Sequence, residues 1–214
     1  LVRSRGLGDV YKRQMQIDNP SRGFSFKKEG PLDLRLDPLK GEPASERLKG
    51  LNQEELTGML MENSDEPYAE EIARTVMGEI KRGREVATTT RLYEMVDRAL
   101  AFIPEEERKE AVKKSCQRTF QALRIDVNSE FEVLYEFLDK LPGVLKPGGR
   151  AAILTFHSGE DRIVKKSFKE MYRAGLYSQV AGDVIRPSAE ECRMNSRAHS
   201  TKMRWAIKAE DSNS

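Results

Sequence analysis

The sequence predicts an α/β fold in which part of a β-sheet is accompanied by a separate block of helices. Three observations support this prediction. Residues 44–114 carry the spacing of several short amphipathic helices, and residues 118–173 follow the order helix, tight turn, buried strand, helix. Residues 203–208 alternate apolar and polar side chains, as a half-buried strand does.

The composition excludes several classes of protein. The 214 residues are 34% charged but carry a net charge of only +2, so any contact with nucleic acid must come from local clusters. Cys116 and Cys192 lie far apart in the sequence, and no ligand cluster indicates a metal. The sequence contains no apolar run of membrane-spanning length and no signal region, so we expect no membrane contact and a cytoplasmic location.

The first segment that we expect to be ordered is a loop. Leu1 to Gln14 has no hydrophobic period and resembles translated adapter sequence, which predicts a non-native leader; a natural basic tail is the alternative. Residues 15–43 are rich in Gly, Pro, Asp and Arg and predict an irregular loop. The loop carries four apolar anchors that a flexible linker would not need: Phe24, Phe26, Leu34 and Leu36.

Residues 44–114 predict a small bundle of short helices. Asn52 followed by Glu55 indicates a capping box, and Thr88 to Thr90 can cap a later helix. Pro104 suits a first helical position, because three acids follow it and two lysines come late in the same segment. Apolar side chains repeat every four residues within the block, as in Ile72, Val76 and Ile80 and again in Leu92, Val96 and Leu100.

Residues 115–214 predict the sheet and its helices. The apolar spacing from Phe120 to Leu138 predicts one long helix that ends at Pro142 and Gly143. The apolar run from Ala151 to Phe156 predicts a strand buried on both faces, as in a parallel sheet, and Ser158 is expected to cap the next helix. Met203 to Lys208 predicts an antiparallel strand near a sheet edge.

Several motifs then resemble one family in the order that the family has them. RGFSF at 22–26 with GPLDLRLDP at 30–38 is similar to its first signature, and RTFQALRIDVNSE at 118–130 to its second. LKPGGRAAILTFHSGEDRIVK at 145–165 and NSRAHSTKMRWAIK at 195–208 are similar to the last two. The chain therefore resembles the RsmH/MraW family of methyltransferases, because four matches in order are far more specific than one.

The resemblance implies a class I, Rossmann-like methyltransferase sheet that is present only in part, with an inserted all-helical domain. Residues 15–43 would form a cofactor-side loop, residues 44–114 the substrate-recognition insertion, and residues 115–214 the C-terminal part of the methyltransferase domain. The implied reaction uses S-adenosyl-L-methionine to methylate the exocyclic amine of a cytidine in small-subunit ribosomal RNA, free or in the assembling small subunit. The family's Gly-rich cofactor loop does not occur in the sequence, so we expect no methyl transfer by this chain alone.

The resemblance assigns one residue to the cofactor and leaves the catalytic residue unknown. Gln16 matches a position that contacts S-adenosyl-L-methionine, although an ordinary polar loop residue is the alternative. Arg22, Asp33 and Arg35 alternate with apolar anchors, which fits a lid over the cofactor and base or a salt-bridged structural loop equally well.

Candidate RNA contacts lie in three later segments. Arg118, Gln121, Arg124 and Asn128 fall on one side of the long helix, where a solvated face is the alternative. His157 ends the predicted strand, where α/β proteins bind ligands, or it packs there as a structural histidine. Two further candidates, Arg197 and Lys202, belong to a basic segment that either contacts phosphates or keeps the surface soluble.

This sequence departs from the family pattern at two places. Gly159 stands where the family has leucine after the histidine and serine, which predicts a looser turn. Residues 114–117 replace the family's His-Pro-Ala-Thr. Three other functions stay open: a non-catalytic RNA-binding protein, a helical interaction module without RNA, and a methyltransferase of the same fold with another acceptor. A homodimer also stays open.

Overall fold

A computed structural model describes residues 22–210, apart from the side chain of Arg197. The chain is a mixed helix and strand protein that forms two compact units, Leu1–Ser129 and Glu130–Ser214. The sequence predicted a boundary between residues 114 and 115, but these residues lie in the middle of a continuous helix. The compact units divide fifteen residues later, where the helix has ended.

The first unit contains five helices within its described residues. Their bounds are α1 Ala44–Lys49, α2 Gln53–Ser64, α3 Ala69–Lys81, α4 Thr89–Ala99 and α5 Glu105–Val127. Asn52 and Glu55 form the predicted capping box at the start of α2, and Thr88 caps α4 by accepting from the backbone N–H of Arg91. Pro104 is the N-cap of α5 rather than its first helical residue.

The core of this unit contains the predicted apolar repeats. Ile72 and Val76 are fully buried on α3, and Leu92, Val96 and Leu100 are fully buried on and just after α4. The loop before α1 joins the same core: Leu34 is buried and Phe24 and Phe26 are partly buried, as predicted. Leu36 is exposed instead, and Leu32, which the sequence analysis did not single out, is fully buried.

The second unit contains three strands and three helices within its described residues. In chain order they are α6 Glu130–Val144, β1 Arg150–Thr155, α7 Ser158–Arg173, β2 Tyr177–Val180, α8 Ala189–Met194 and β3 Lys202–Lys208, with a short 3-10 helix at Ser196–Ser200 before β3. The strand order is β1-β3-β2 and both pairings are antiparallel. Leu138, Val164, Phe168, Tyr177 and Ala206 form most of its core.

The predicted long helix is wrong, because two helices replace it. Asn128 ends α5 and Ser129 has a φ of +48°, which α-helical backbone does not adopt. The apolar spacing nevertheless continues through the break. Phe120 and Leu123 belong to the first core and Leu138 to the second, so one apolar pattern serves two separate cores.

The predictions for the strands need three corrections. Among the described strands β1 pairs only with β3, and it is antiparallel with alternate residues exposed rather than buried on both faces. An apolar run does not encode the direction of pairing, and α7 covers only one face of this strand. Strand β3 is central rather than at an edge, because β2, which the sequence did not predict, pairs with its other side.

The face of β3 that is buried also differs from the expectation. The alternation suggested that Met203, Trp205 and Ile207 point inward, but Arg204 and Ala206 are the buried residues. These two lie opposite Ile153 and Ala151 of β1, on the face that packs against α7. Arg204 is buried because an acidic residue of α7 pairs with it, and polarity alone could not indicate that.

Candidate functional site

The candidate side chains of the loop before α1 bind one another and the loop backbone. Nη2 of Arg22 donates to the carbonyl oxygens of Arg35 and Leu36, at 2.8 Å each. The guanidinium of Arg35 forms a bidentate pair with Asp33, at 2.6 and 3.0 Å, and donates to the carbonyl of Gly41. The hydrogen bond from Arg35 holds the pKa of Asp33 below its usual value. These contacts make a salt-bridged loop of fixed shape.

Backbone conformation reinforces the shape of this loop. Gly23 has a φ of +72°, and a Cβ at this position would lie 2.2 Å from the carbonyl oxygen of Pro31. Only glycine fits here, because both the positive φ and the close backbone approach exclude a side chain. Leu34 also has a positive φ, +65°, and its side chain is buried in the core.

Asn128 fastens the end of α5 to the same loop. Its Oδ1 accepts from the backbone N–H of Leu36 at 2.6 Å. Its Nδ2 donates to the carbonyl oxygens of Leu34 and Arg124, at 2.8 and 2.7 Å. Asn128 therefore belongs with Arg22, Asp33 and Arg35 in one connected network, which the sequence analysis had treated as two separate groups.

Two of the remaining candidates on α5, Arg118 and Gln121, face the end of α2 and the turn between α2 and α3. Nη1 of Arg118 lies 4.0 Å from Oε2 of Glu66, a buried carboxylate that also accepts from Ser115 at 2.8 Å. Nε2 of Gln121 donates weakly to the carbonyl of Asn63, at 3.4 Å. These helix contacts are internal, but the side chains of Arg118 and Gln121 are only partly buried, so each keeps a surface for a ligand.

His157 lies at the end of β1 and caps α7. Its Nδ1 accepts from the backbone N–H of Glu160 at 3.4 Å, so His157 takes the capping position predicted for Ser158, the first helical residue. The ring packs against Phe131, with centroids 5.9 Å apart. Gly159 is buried here, and a Cβ on it would lie 2.8 Å from Cζ of Phe131. The phenyl ring thus occupies the space where the family's leucine would begin, so the turn is filled rather than loosened.

A buried ion pair lies behind this strand end. Arg204 of β3 donates from Nε and Nη2 to the two carboxylate oxygens of Asp161, at 2.7 and 3.1 Å. Lys202 adds a third cationic contact, 3.7 Å from the same carboxylate. Burial alone would raise the pKa of Asp161, but the hydrogen bond and charge of Arg204 outweigh it and lower the pKa. The sequence analysis did not assign this pair a role.

Two of the predicted site residues lie outside this description. Gln16 precedes the described residues, and the side chain of Arg197 is not described. The structure thus brings Arg22, Asp33, Arg35 and Asn128 together in the first unit. In the second unit, His157 and Lys202 are linked through the adjacent acids Glu160 and Asp161 of α7.

One cluster in the second unit has donor atoms of metal-binding type. Donor atoms of Glu130, His157 and Glu160 lie within 4.8 Å of one another. The absence of a metal stays a prediction. It is favoured by the histidine itself, because Nδ1 accepts the capping hydrogen bond and Nε2 must then carry the proton of the neutral ring. The positive end of the α7 dipole also opposes a cation.

No helix within residues 22–210 combines the length and the apolar character needed to cross a membrane.

Comparison with known proteins places the chain among methyltransferases. The sequence profile of the MraW methylase family matches residues 9–209. The chain is 68% identical over 203 residues to the ribosomal RNA small subunit methyltransferase H 1 of Lachnoclostridium phytofermentans, covering 95% of this chain and 56% of that protein. It is 63% identical to the protein of the same name from Agathobacter rectalis, covering 95% and 58%. The chain thus spans somewhat more than half the length of these curated relatives.

Proposed function

The chain belongs to the MraW methylase family, and on that premise we propose that it forms part of an enzyme that methylates small-subunit ribosomal RNA. The observation that carries the proposal is the family match over residues 9–209 together with 68% identity to a relative named for this activity. The acceptor we propose is the exocyclic amine of a cytidine, and the protein would act in the cytoplasm, where small ribosomal subunits assemble.

The proposed architecture is a class I methyltransferase sheet interrupted by an all-helical insertion. In this scheme β1 and β3 are neighbouring strands of the sheet, α6 and α7 cover it, and α1 to α4 recognise the substrate. The antiparallel pairing of β1 with β3 supports the scheme, since Met203 to Lys208 was expected to form an antiparallel strand. The loop before α1 would lie on the cofactor side of the sheet.

The proposed methyl donor is S-adenosyl-L-methionine, an activated sulfonium. The described residues do not form a site for it by themselves, because the loop side chains that could reach a polar ligand are bound to each other and to backbone carbonyls. Gln16 stays the proposed cofactor contact. The role we propose for Arg22, Asp33, Arg35 and Asn128 is therefore to hold the loop in one conformation beside the donor.

The proposed RNA contacts are side chains that retain solvent-facing surface. Arg118, Gln121 and Arg124 lie along α5 and are partly buried, and Lys202 begins β3. The ring of His157 is held by the hydrogen bond from the backbone N–H of Glu160 and by packing against Phe131. A ring held in this way suits a residue that positions a base or phosphate at the strand end. A cytidine must be unpaired or flipped for its amine to reach the methyl donor. Positioning of its amine is the main demand, since the amine lone pair is delocalised into the ring.

The experiment that tests the proposal joins this chain to the remaining part of the Lachnoclostridium phytofermentans relative. The purified chimera is incubated with radiolabelled S-adenosyl-L-methionine and small ribosomal subunits, and labelled nucleosides are separated by chromatography and identified by mass. We expect label in N4-methylcytidine. The chain alone, assayed in parallel, is expected to transfer no methyl group.

Three outcomes contradict different parts of the proposal. A folded chimera that transfers no label to RNA removes the activity. Label in another nucleoside removes the cytidine amine as acceptor but keeps RNA methylation. Transfer by the chain alone contradicts the conclusion that the described residues do not hold the donor by themselves.

A further inference from the structure

One buried carboxylate in the first unit is surrounded by four arginines. Glu79, near the end of α3, is 1% exposed. Its Oε1 contacts Arg82 at 3.2 Å and Arg98 at 3.1 Å, and its Oε2 contacts Arg91 at 2.8 Å and Arg84 at 3.4 Å. These four residues, the Glu79 arginine cluster, come from the C-cap of α3, the following turn and α4. None of them matches a motif of the family resemblance.

The cluster carries more positive charge than the buried carboxylate requires. One guanidinium is enough to pair with Glu79, and Glu94 neutralises a second through a 2.9 Å contact with Arg91. The four arginines therefore carry two more positive charges than Glu79 and Glu94 neutralise. The neighbouring Glu85 is directed toward Lys49, which it contacts at 2.9 Å and which Glu46 also contacts, rather than toward an arginine of the cluster. An excess of this kind is expected where a surface receives an anion.

Each arginine contacts Glu79, but large parts of three of the four side chains are exposed to solvent. The side chains of Arg82, Arg84 and Arg98 are 65%, 56% and 48% exposed. A guanidinium has five N–H donors in a fixed plane, and the contact with Glu79 uses only part of them. The guanidinium N–H donors that face solvent can bind two oxygens of one phosphate at the same time, because their geometry is fixed.

Glu79 stays charged in this setting. Burial alone would raise its pKa, but the charges of Arg84 and Arg98 and the hydrogen bond from Arg82 outweigh burial, so the pKa is lowered. A carboxylate that is ionised at neutral pH can fix the directions of several long side chains, which otherwise lose rotamer entropy on binding a ligand. Glu79 thus acts as a positioning residue beneath the arginines.

We propose that the Glu79 arginine cluster binds backbone phosphates of the RNA substrate. The proposal rests on the proposed function, which supplies RNA as the polyanion. It extends that function by naming a binding site on the helical block that no sequence motif indicated. Contacts of this kind position RNA without reading its sequence.

The test is RNA binding by the 214-residue chain, measured by fluorescence anisotropy with a fluorescein-labelled RNA hairpin over a series of potassium chloride concentrations. Arg84→Ala is expected to weaken binding about tenfold at low salt and to lower the slope of log Kd against log salt by about 1. Arg74→Ala is the matched control, since Arg74 is an exposed arginine of α3 that does not contact Glu79. We expect it to change both quantities far less, although its charge change is identical.

The variant Glu79→Gln separates positioning from simple charge. It raises the net charge by one, so unspecific attraction predicts tighter RNA binding, whereas loss of the fixed arginine geometry predicts weaker binding. Weaker binding supports the positioning role, and tighter binding overturns it. If circular dichroism shows that Glu79→Gln is unfolded, the double variant Arg82→Ala/Arg84→Ala tests the site itself, because both side chains are mostly exposed. An RNA affinity no lower than that of Arg74→Ala would then overturn the site.

Two results overturn the site. Equal effects of Arg84→Ala and Arg74→Ala mean that only net charge matters. If Arg84→Ala loses binding to a fluorescent polyglutamate peptide but keeps its RNA affinity, the cluster binds an acidic protein instead. Failure of the proposed function is a separate observation, because the chimera would then transfer no methyl group to RNA while the chain still binds RNA through the cluster.

Discussion

At the scale of single residues, the described structure buries charge where an opposite charge meets it. Arg204 and Asp161 are both less than a tenth exposed, and two hydrogen bonds join them. Such a pair is costly to break rather than strongly stabilising to make, because removal of one partner leaves the other buried and uncompensated. The pair connects β3 to α7 and thereby fixes the helix that His157 caps.

Replacement of Asp161 by asparagine is expected to lower the free energy of unfolding by about 3 kcal/mol, because Arg204 would stay buried without its counter-charge. Urea unfolding monitored by fluorescence of Trp205, the single tryptophan of the chain, reports on this unit directly. Asp183→Asn is the matched control, as Asp183 is exposed in the same unit. A loss below about 1 kcal/mol for Asp161→Asn would show that Arg204 finds another partner.

Gly23 is the residue whose replacement should most disturb the loop. Gly23→Ala introduces a Cβ 2.2 Å from the carbonyl oxygen of Pro31 at a φ of +72°, so we expect a loss of about 2 kcal/mol or more. Gly58→Ala is the control with the opposite expected sign. Gly58 lies inside α2 with open space around it, and alanine should stabilise that helix by up to about 1 kcal/mol. Thermal unfolding followed by far-ultraviolet circular dichroism measures both.

At the scale of elements, the sequence predicted best where an element is defined by its own local chemistry. The Asn52 capping box and the Thr88 cap are contacts within three residues, so the sequence contains everything that decides them. The break between α5 and α6 depends instead on which core each half joins. Strand β2 spans only Tyr177–Val180 and exists because β3 offers it a partner, and a short run carries no such signal.

The same reasoning applies to the candidate site. The pattern of the loop and of the helix face selected Arg22, Asp33, Arg35 and Asn128 as candidates, and the structure unites them. Only their three-dimensional contacts show that they form hydrogen bonds with one another and with the loop backbone. The Glu79 arginine cluster could not be predicted from the sequence at all. Its members are spread over twenty residues and meet only because α3 and α4 pack together, so no linear motif marks them.

The connection between α5 and the loop can be tested through Asn128. Asn128→Ala removes three hydrogen bonds and leaves the buried backbone of Leu34 without a donor, so we expect a loss of about 2 to 3 kcal/mol in unfolding free energy. Gln117→Ala, an exposed change on the same helix, should be nearly neutral. Circular dichroism gives the stability, and RNA affinity is measured on the folded protein.

The two measurements distinguish the two roles proposed for Asn128. A residue that holds the loop changes stability and leaves RNA affinity at low temperature nearly unaltered. A direct RNA contact changes affinity even where the protein is fully folded. Reduced RNA affinity with unchanged stability would therefore show that Asn128 contacts RNA directly and does not act by holding the loop.

At the scale of the whole molecule, the net charge is only +2, but the charged side chains form distinct local pairs and clusters. Acidic groups are used internally: Asp33 binds Arg35, Glu79 holds four arginines, and Asp161 pairs with Arg204. Each of these carboxylates has a lowered pKa. At Glu79 one buried acid holds more arginines than it neutralises, and such a local surplus is how a nearly neutral chain can still present a phosphate-binding face.

The lowered pKa values predict how the stability of the chain depends on pH. For Asp33 the main cause is the hydrogen bond from Arg35; for Glu79 and Asp161 burial acts in the opposite direction and the arginines outweigh it. A carboxylate whose pKa is lower in the folded state binds fewer protons there than in the unfolded state. Its contribution is complete above the unfolded pKa, near 4, and is lost as the pH falls through the folded value.

We therefore expect urea midpoints that are nearly constant from neutral pH to about pH 5 and fall steeply below about pH 4. Trp205 fluorescence reports the loss in the second unit, which Asp161 controls, and circular dichroism adds the helices of the first unit, which Asp33 and Glu79 control. Asp161→Asn should flatten the acid limb of the tryptophan signal, since an amide does not titrate. An unchanged limb in this variant would mean that other carboxylates govern acid unfolding of the second unit and that the Arg204 pair contributes little to it.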